Sequence, residues 1–269
     1  MTDRRISMRL GKLLVAAVPV AAALLTVPVA QASAPTFCGE IGGQWDGQYC
    51  RTSVESVRKA TRDIKIAIPG DLVDNPTTGP VIRDYLATLM NNWRTAAANM
   101  VADSWGEENY QVFRRGDVLS VVFHETYHAD GPDFNNAYRT FTFDMAGGRR
   151  LMLADLVKPG LDPLVEIPPL ARPYIEQALD AAPPPHQPRS YPFFFERWTP
   201  DKVYSGAYKA WALNGDELII WMPDYPVAHD RPVDFTPGIM QWSMDGGTVQ
   251  AHIPLSALAP ILRPEFGGS

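Results

Sequence analysis

The sequence predicts an α+β fold: mainly antiparallel sheets packed with one long helix and one or two shorter ones. Three patterns predict it. Alternating or β-branched runs at 110–127 and 137–144 are divided by turn residues, as the strands of a meander are. The best sustained i, i+3, i+4 apolar rhythm is at 80–102. Strands and helices fall in blocks rather than alternating, the mark of segregated layers and mainly antiparallel pairing.

The first element is an export signal. Arg4, Arg5, Arg9 and Lys12 precede an apolar run from Leu13 to Ala30 that ends in small residues, the physical form of a secretory signal. Ala30-Gln31-Ala32 puts small residues at both positions a signal peptidase reads, so cleavage is expected after Ala32. A cut after Ala34 would set Pro35 against the peptidase cleft. An uncleaved anchor is the rival reading, but the run only nears the lower limit of a span, about 18 residues, and Pro19 and Pro28 interrupt it. No later run is as long, so the rest of the chain is expected to be soluble. The domain reading is 1–32 signal peptide, 33–62 disulfide-clasped N-terminal segment, and 63–264 a single α+β domain.

Cys38 and Cys50 are the only cysteines. In an oxidising compartment they are expected to pair, and Gly39, Gly42, Gly43 and Gly47 let so short a loop close. No CxxC motif and no nearby histidine supports a metal or redox role. The loss of residues 1–32 removes four of the 24 basic residues and one of the 30 acidic ones, which moves the net charge from −6 to −9. Such a surface repels phosphate backbones and anionic membranes, so no nucleic-acid partner is expected, and membrane contact only through an uncleaved signal segment. Twenty-five prolines, many in loops, suit a protein exposed to extracellular proteases.

Asp63–Ile68 alternates and ends at Pro69, so it reads as a strand. Pro80 suits a first helical turn, and Ile82, Tyr85, Leu86, Leu89, Trp93, Ala97 and Met100 follow the helical rhythm from about Pro80 to Ala102. Tyr110–Arg114 and Val118–Tyr127 read as strands around Arg115-Gly116-Asp117. That tripeptide matches an integrin motif, but a hairpin turn accounts for it more simply. Ala137–Asp144 is the next strand. Asp162 and Pro163 open a helical stretch that Pro168, Pro169 and Pro173 are expected to break into pieces, with the ordered end at Pro173–Ala181. Tyr208–Leu213 and Glu217–Met222 flank Asn214-Gly215, a strong hairpin signal. Val249–Ile253 is a last strand and Pro254–Ile261 a short helix.

His124-Glu125-Thr126-Tyr127-His128 spells the H-E-x-x-H signature of zinc proteases, which needs a helix to bring both imidazoles to one ion about 6 Å apart. Its flank Val118–Phe123 is β-branched, and in a strand the two Cα atoms stand about 13 Å apart. No zinc site and no zinc metalloprotease is expected, nor is any cofactor, and no catalytic residue is assigned. No G-x-S-x-G elbow or phosphate loop occurs. The densest aromatic stretch is Ser190–Trp198. If Phe193, Phe194, Phe195 and Trp198 are exposed, they are a candidate binding patch; large apolar side chains are more often core.

The landmarks in their order resemble the secreted mycobacterial immunogenic-protein family, which shares a domain of unknown function with the extracellular part of the RsiV anti-sigma factor. They are Cys-x-x-Ile-Gly-Gly…Cys at 38–50, the strand ending at Pro69, the long helix with Trp93, the strand pair at 110–127, Tyr138–Asp144, Leu153–Leu156 leading to Leu161–Leu164, Leu213–Ile220 and Ala251–Leu258. The segment at 128–133 lacks the Gly-Gly-x-His of many relatives, and 224–247 is longer than in them. The resemblance implies an α+β fold and an extracellular place. It favours a non-catalytic binding or host-interaction protein. The expected partner is an extracellular protein or a glycan, and a monomer is expected. An esterase-like hydrolase with a loop-built site and a lysozyme-binding protein are the alternatives.

Overall fold

The computed structural model describes residues 34–128, 134–183, 185–223, 234–239 and 248–269. The export segment 1–32 lies outside them, as do most of 128–133 and 224–247. Seven strands form one sheet in chain order: β1 (Gln44–Trp45), β2 (Tyr49–Glu55), β3 (Thr61–Ala67), β4 (Ser104–Arg115), β5 (Val118–His128), β6 (Phe134–Asp144) and β7 (Arg149–Leu151). Every neighbouring pair is antiparallel except β3 and β4. That parallel step needs a crossover, which α2 (Gly70–Val73) and α3 (Gly79–Ala97) supply. A second sheet of three antiparallel strands has the order β10 (Thr248–Pro254), β9 (Glu217–Pro223), β8 (Trp211–Asn214). The expected α+β architecture is the one observed.

Strand alternation sorts these parts into layers. Leu119, Val121, Phe123 and Tyr127 of β5 face α3 and share a core with its Ile82, Leu86, Leu89 and Trp93. Val122 points the other way and meets Ala212, Ile219 and Trp221 of the second sheet. The far side of that sheet, with Leu213, Ile220 and Ala251, packs on Ile167, Ala171, Ile175 and Leu179 of α4 (Pro163–Ala181). The order is therefore helix, seven-stranded sheet, three-stranded sheet, helix. Gly106 of β4 lets α3 approach, since a Cβ there would stand 2.9 Å from the Trp93 ring.

Two helices differ from expectation. Helix α3 ends at Ala97 rather than near 102, because the chain must return to pair Ser104 with Arg62 in the parallel step. Helix α4 is continuous through Pro168, Pro169 and Pro173 and, at 19 residues, as long as α3. The prolines deprive the carbonyls of Leu164, Val165 and Pro169 of their i+4 donors. All three residues are exposed, so water can take those carbonyls. The buried row Ile167, Ala171, Ile175, Leu179 needs one uninterrupted helix to seat it, and Asp162 caps the start by accepting from the Leu164 amide at 2.9 Å.

The N-terminal segment is clasped as expected. Cys38, in α1 (Ala34–Glu40), is bonded to Cys50 in β2, with their Cα atoms 5.3 Å apart. Both are fully buried, and a side chain at Gly43 would collide with the bridge. Short elements with little pattern were not foreseen: α1, β1, β2, α2 and β7. No helix among the described residues is long and apolar enough to cross a membrane.

Candidate binding face

The second sheet covers only part of the face of the seven-stranded sheet turned away from α3. It sits over β4, β5 and β6, held by side chains that stand in for strand pairing. The Leu213 amide donates to Ser120 Oγ at 3.0 Å, and the Trp211 amide to Thr140 Oγ1 at 2.9 Å. Over β1 to β4 the same face stays open. Register places Gln44 beside Arg51, Arg51 beside Lys65, Ser53 beside Asp63, Asp63 beside Trp105 and Lys65 beside Glu107. Alternation therefore sends Gln44, Arg51, Ser53, Asp63, Lys65, Trp105 and Glu107 to one surface.

That surface is bonded across the strands. Tyr49 Oη donates to Asn109 Oδ1 at 2.9 Å, Asn109 Nδ2 to Glu107 Oε1 at 3.0 Å, and Lys65 Nζ to Glu107 Oε2 at 3.0 Å. The Asn109 amide, and after it Lys65, holds the Glu107 carboxyl below its usual range. The Asp46 carboxyl, in the β1–β2 turn, is lowered to about 2 by the Tyr49 amide first, then the Arg51 side chain and the Gln48 amide. Arg51 pairs with Asp46 and lies 5.7 Å from the Tyr49 ring centre. Two adjoining hollows of about 550 and 260 Å³ share Asp63 and Lys65, and half-buried Trp105 stands in the second. Fixed carboxylate, amide and ammonium groups next to an indole can bind a polyhydroxyl ligand by hydrogen bonds and stacking.

Below this face lies a buried charge cluster. Glu125 and Arg139 form a bidentate pair, Oε1 to Nε at 2.9 Å and Oε2 to Nη2 at 3.3 Å, with 0% and 3% of their side chains exposed. Tyr85 Oη and the Gly238 amide complete the carboxylate's donors at 3.1 and 2.9 Å. Arg139 also donates to the carbonyls of Asp234, Thr236 and Ile239, and Asn92 to that of Pro237. The cluster thus fastens residues 234–239 between α3 and β6.

The aromatic stretch is mostly core. Phe193, Phe195 and Trp198 are buried, and only Phe194 of the four is exposed, at 43%. Phe193 stacks on His186 at 3.8 Å, and Arg172 lies over Phe195 at 4.6 Å. Phe193, Phe194 and Phe195 line one small hollow of about 150 Å³ with Arg172, Glu176 and Arg189, while Trp198 lies in the core. His124 and His128 lie on strand β5, not on a helix. His124 stacks on Tyr138 at 4.3 Å, and burial lowers its pKa to about 4. No cluster of three potential metal ligands occurs among the described residues. Arg115-Gly116-Asp117 forms the tight β4–β5 turn, with Gly116 at φ 56°.

Sequence reasoning missed Tyr49, Lys65, Glu107 and Asn109. The signal was slight: Lys65 stands at an outward position of a strand that was recognised, but the pairing that brings Glu107 beside it is a non-local parallel step.

Comparison with known proteins divides the chain. Residues 28–64 match a family described as MVL, mannan-binding protein. Residues 154–256 match DUF3298, a family of unknown function. No curated protein matches. Among solved structures, a DUF3298 family protein from Pseudomonas aeruginosa PAO1 is 11% identical with a TM-score of 0.46, over 82% of this chain and 96% of that one. A DUF3298 member from Bacteroides fragilis NCTC 9343 is 11% identical with a TM-score of 0.48, over 84% and 96%. The similarity to DUF3298 is confined to residues 154–256, less than half of the chain.

Proposed function

We propose that this is an exported, non-catalytic binding protein of the mycobacterial immunogenic-protein type, and that its ligand is a glycan held on the open face of β1 to β4. The observation that carries the reading is the cross-strand network Tyr49–Asn109–Glu107–Lys65 beside Trp105. Hydrogen-bonding groups already fixed in place lose little freedom when a sugar docks. Gln44, Tyr49, Arg51 and Asp63 fall in the segment similar to the mannan-binding family, and Lys65 lies just past its end. The buried Cys38–Cys50 bridge agrees with an oxidising compartment.

The test is a titration with mannan oligosaccharides, followed by tryptophan fluorescence and calorimetry. Saturable binding lost in Trp105→Ala and weakened in Asn109→Ala supports the reading. Absence of binding to mannan and to a panel of other glycans overturns it. A basic protein such as lysozyme is the other partner that the acidic net charge would attract; the same titration with lysozyme separates the two.

A further inference from the structure

A different hollow, of about 430 Å³, opens between β6, β7, the start of α4 and the turn at 203–211. Its walls are apolar: Phe141, Leu151, Leu153, Leu164, Trp211 and Phe235. Its charged lining residues are all cationic. Arg139 is turned inward to Glu125, which leaves Arg150 and Lys209 at the mouth, both exposed. Arg150 lies over the Phe141 ring at 4.7 Å and Lys209 over the Phe235 ring at 5.2 Å. Neither has a carboxylate partner among the described residues, and no Asp or Glu lines the hollow. On a chain of net charge −6, two unpaired cations over an apolar trough run against the general field.

The wall at 206–208 is unusual. Gly206, Ala207 and Tyr208 are successively left-handed, with φ of 59°, 53° and 52°. Two of the three carry a Cβ, and such conformations cost free energy that persists mainly at ligand clamps and switch segments. Ser205 Oγ braces the turn, accepting from the Ala207 amide at 2.9 Å and donating to the Lys202 carbonyl at 2.8 Å. The Tyr208 hydroxyl behind this wall is buried and has no partner among the described residues.

We infer that this cleft binds a medium-chain fatty acid, its acyl chain against the apolar walls and its carboxylate at Arg150 and Lys209. The volume lies within the about 300–1,000 Å³ of small-molecule sites. Apolar walls reward a hydrocarbon chain, and unpaired cations select an anion over a neutral or cationic head group.

Isothermal titration with dodecanoate below its micelle concentration tests this on the full chain. One saturable site is expected, weakened at least tenfold in R150E/K209E and in L164E, with dodecyltrimethylammonium binding at least tenfold more weakly than dodecanoate. All three positions are exposed, and circular dichroism confirms that the variants fold. No saturable binding of dodecanoate overturns the inference. So does equal affinity of the charge-reversed variant, of the wall variant, or of the cationic amphiphile.

Discussion

Glu108 and Glu125 are cross-strand partners in β4 and β5, directly opposite each other and both completely buried. They are not equivalent. Glu125 has Arg139, Tyr85 and the Gly238 amide. Neither carboxyl oxygen of Glu108 has a hydrogen bond of good geometry among the described residues. Two like charges at this spacing cannot both be held in a dry interior, so the pair divides into a paired carboxylate and a neutral acid.

Burial, and then the Glu125 charge, pushes the Glu108 carboxyl well above its usual range; the amide of Ala67 eases the shift only partly. The folded protein therefore keeps a proton that the unfolded chain releases near the ordinary value of 4.5. This contribution to stability is complete below that value and is lost as pH rises toward the raised one. Glu108→Gln keeps the shape without the proton. It is expected to be more stable than the wild type at pH 8 and to differ little from it at pH 4. Urea unfolding at the two pH values measures it, and equal effects at both would refute the assignment.

His124 works in the opposite sense. Burial holds its folded pKa at about 4, below the ordinary 6.5. Its contribution is present above 6.5 and is lost as pH falls toward 4. Replacing it with Phe, which retains the stack on Tyr138, is expected to flatten the acid side of the stability curve by about 3 kcal/mol. Proton NMR titration of the His124 ring gives the pKa directly, and a value near 6.5 would contradict the stated burial.

The paired half of the couple predicts a non-additive mutant cycle. Arg139→Met strands the Glu125 carboxylate in the core and should cost about 3–5 kcal/mol. Adding Glu125→Gln removes the stranded charge, so the double variant should recover part of that loss. Because Arg139 also holds the carbonyls of Asp234, Thr236 and Ile239, the single variant should become susceptible to proteolysis near 234–239. Cleavage no faster than in the wild type would show that the segment is held by other contacts.

Legibility followed the range of the forces involved. Periodicity marked α3, which buries one regular face, and local signals marked β5, β6 and the β8–β9 hairpin: β-branched or alternating runs, and Asn214-Gly215 between two apolar runs. It placed His124 and His128 on a strand, which removes the helical geometry that a zinc pair needs. It misjudged α4, where the local cost of three prolines yields to the long-range packing of Ile167, Ala171, Ile175 and Leu179 on the second sheet. The open face was invisible for a related reason. Lys65 and Glu107 are 42 residues apart and meet only through the parallel β3–β4 step, and the Glu108–Glu125 pair likewise depends on strand register. Composition reads Glu107-Glu108 as two ordinary surface acids, whereas alternation puts one in water and the other in the core.

The disulfide supplies the last prediction. It joins α1 to β2, the strand that carries Tyr49 and Arg51, and it is enclosed by the same core as Ile64, Ile66 and Trp93. A bridge over a separation of 12 residues is worth about 3 kcal/mol in the chain-entropy model. Cys38→Ser with Cys50→Ser should lower stability by about that amount and loosen the β1–β2 edge first, because among the described residues β1 pairs with β2 alone. Hydrogen exchange should then rise at 44–55 while 119–127, deep in the sheet, keeps its protection. Under the glycan reading, mannan affinity should fall with that edge even at temperatures where the fold survives. Uniform exchange across both regions would mean that the bridge stabilises the domain as a whole and does not fix the binding strands in particular.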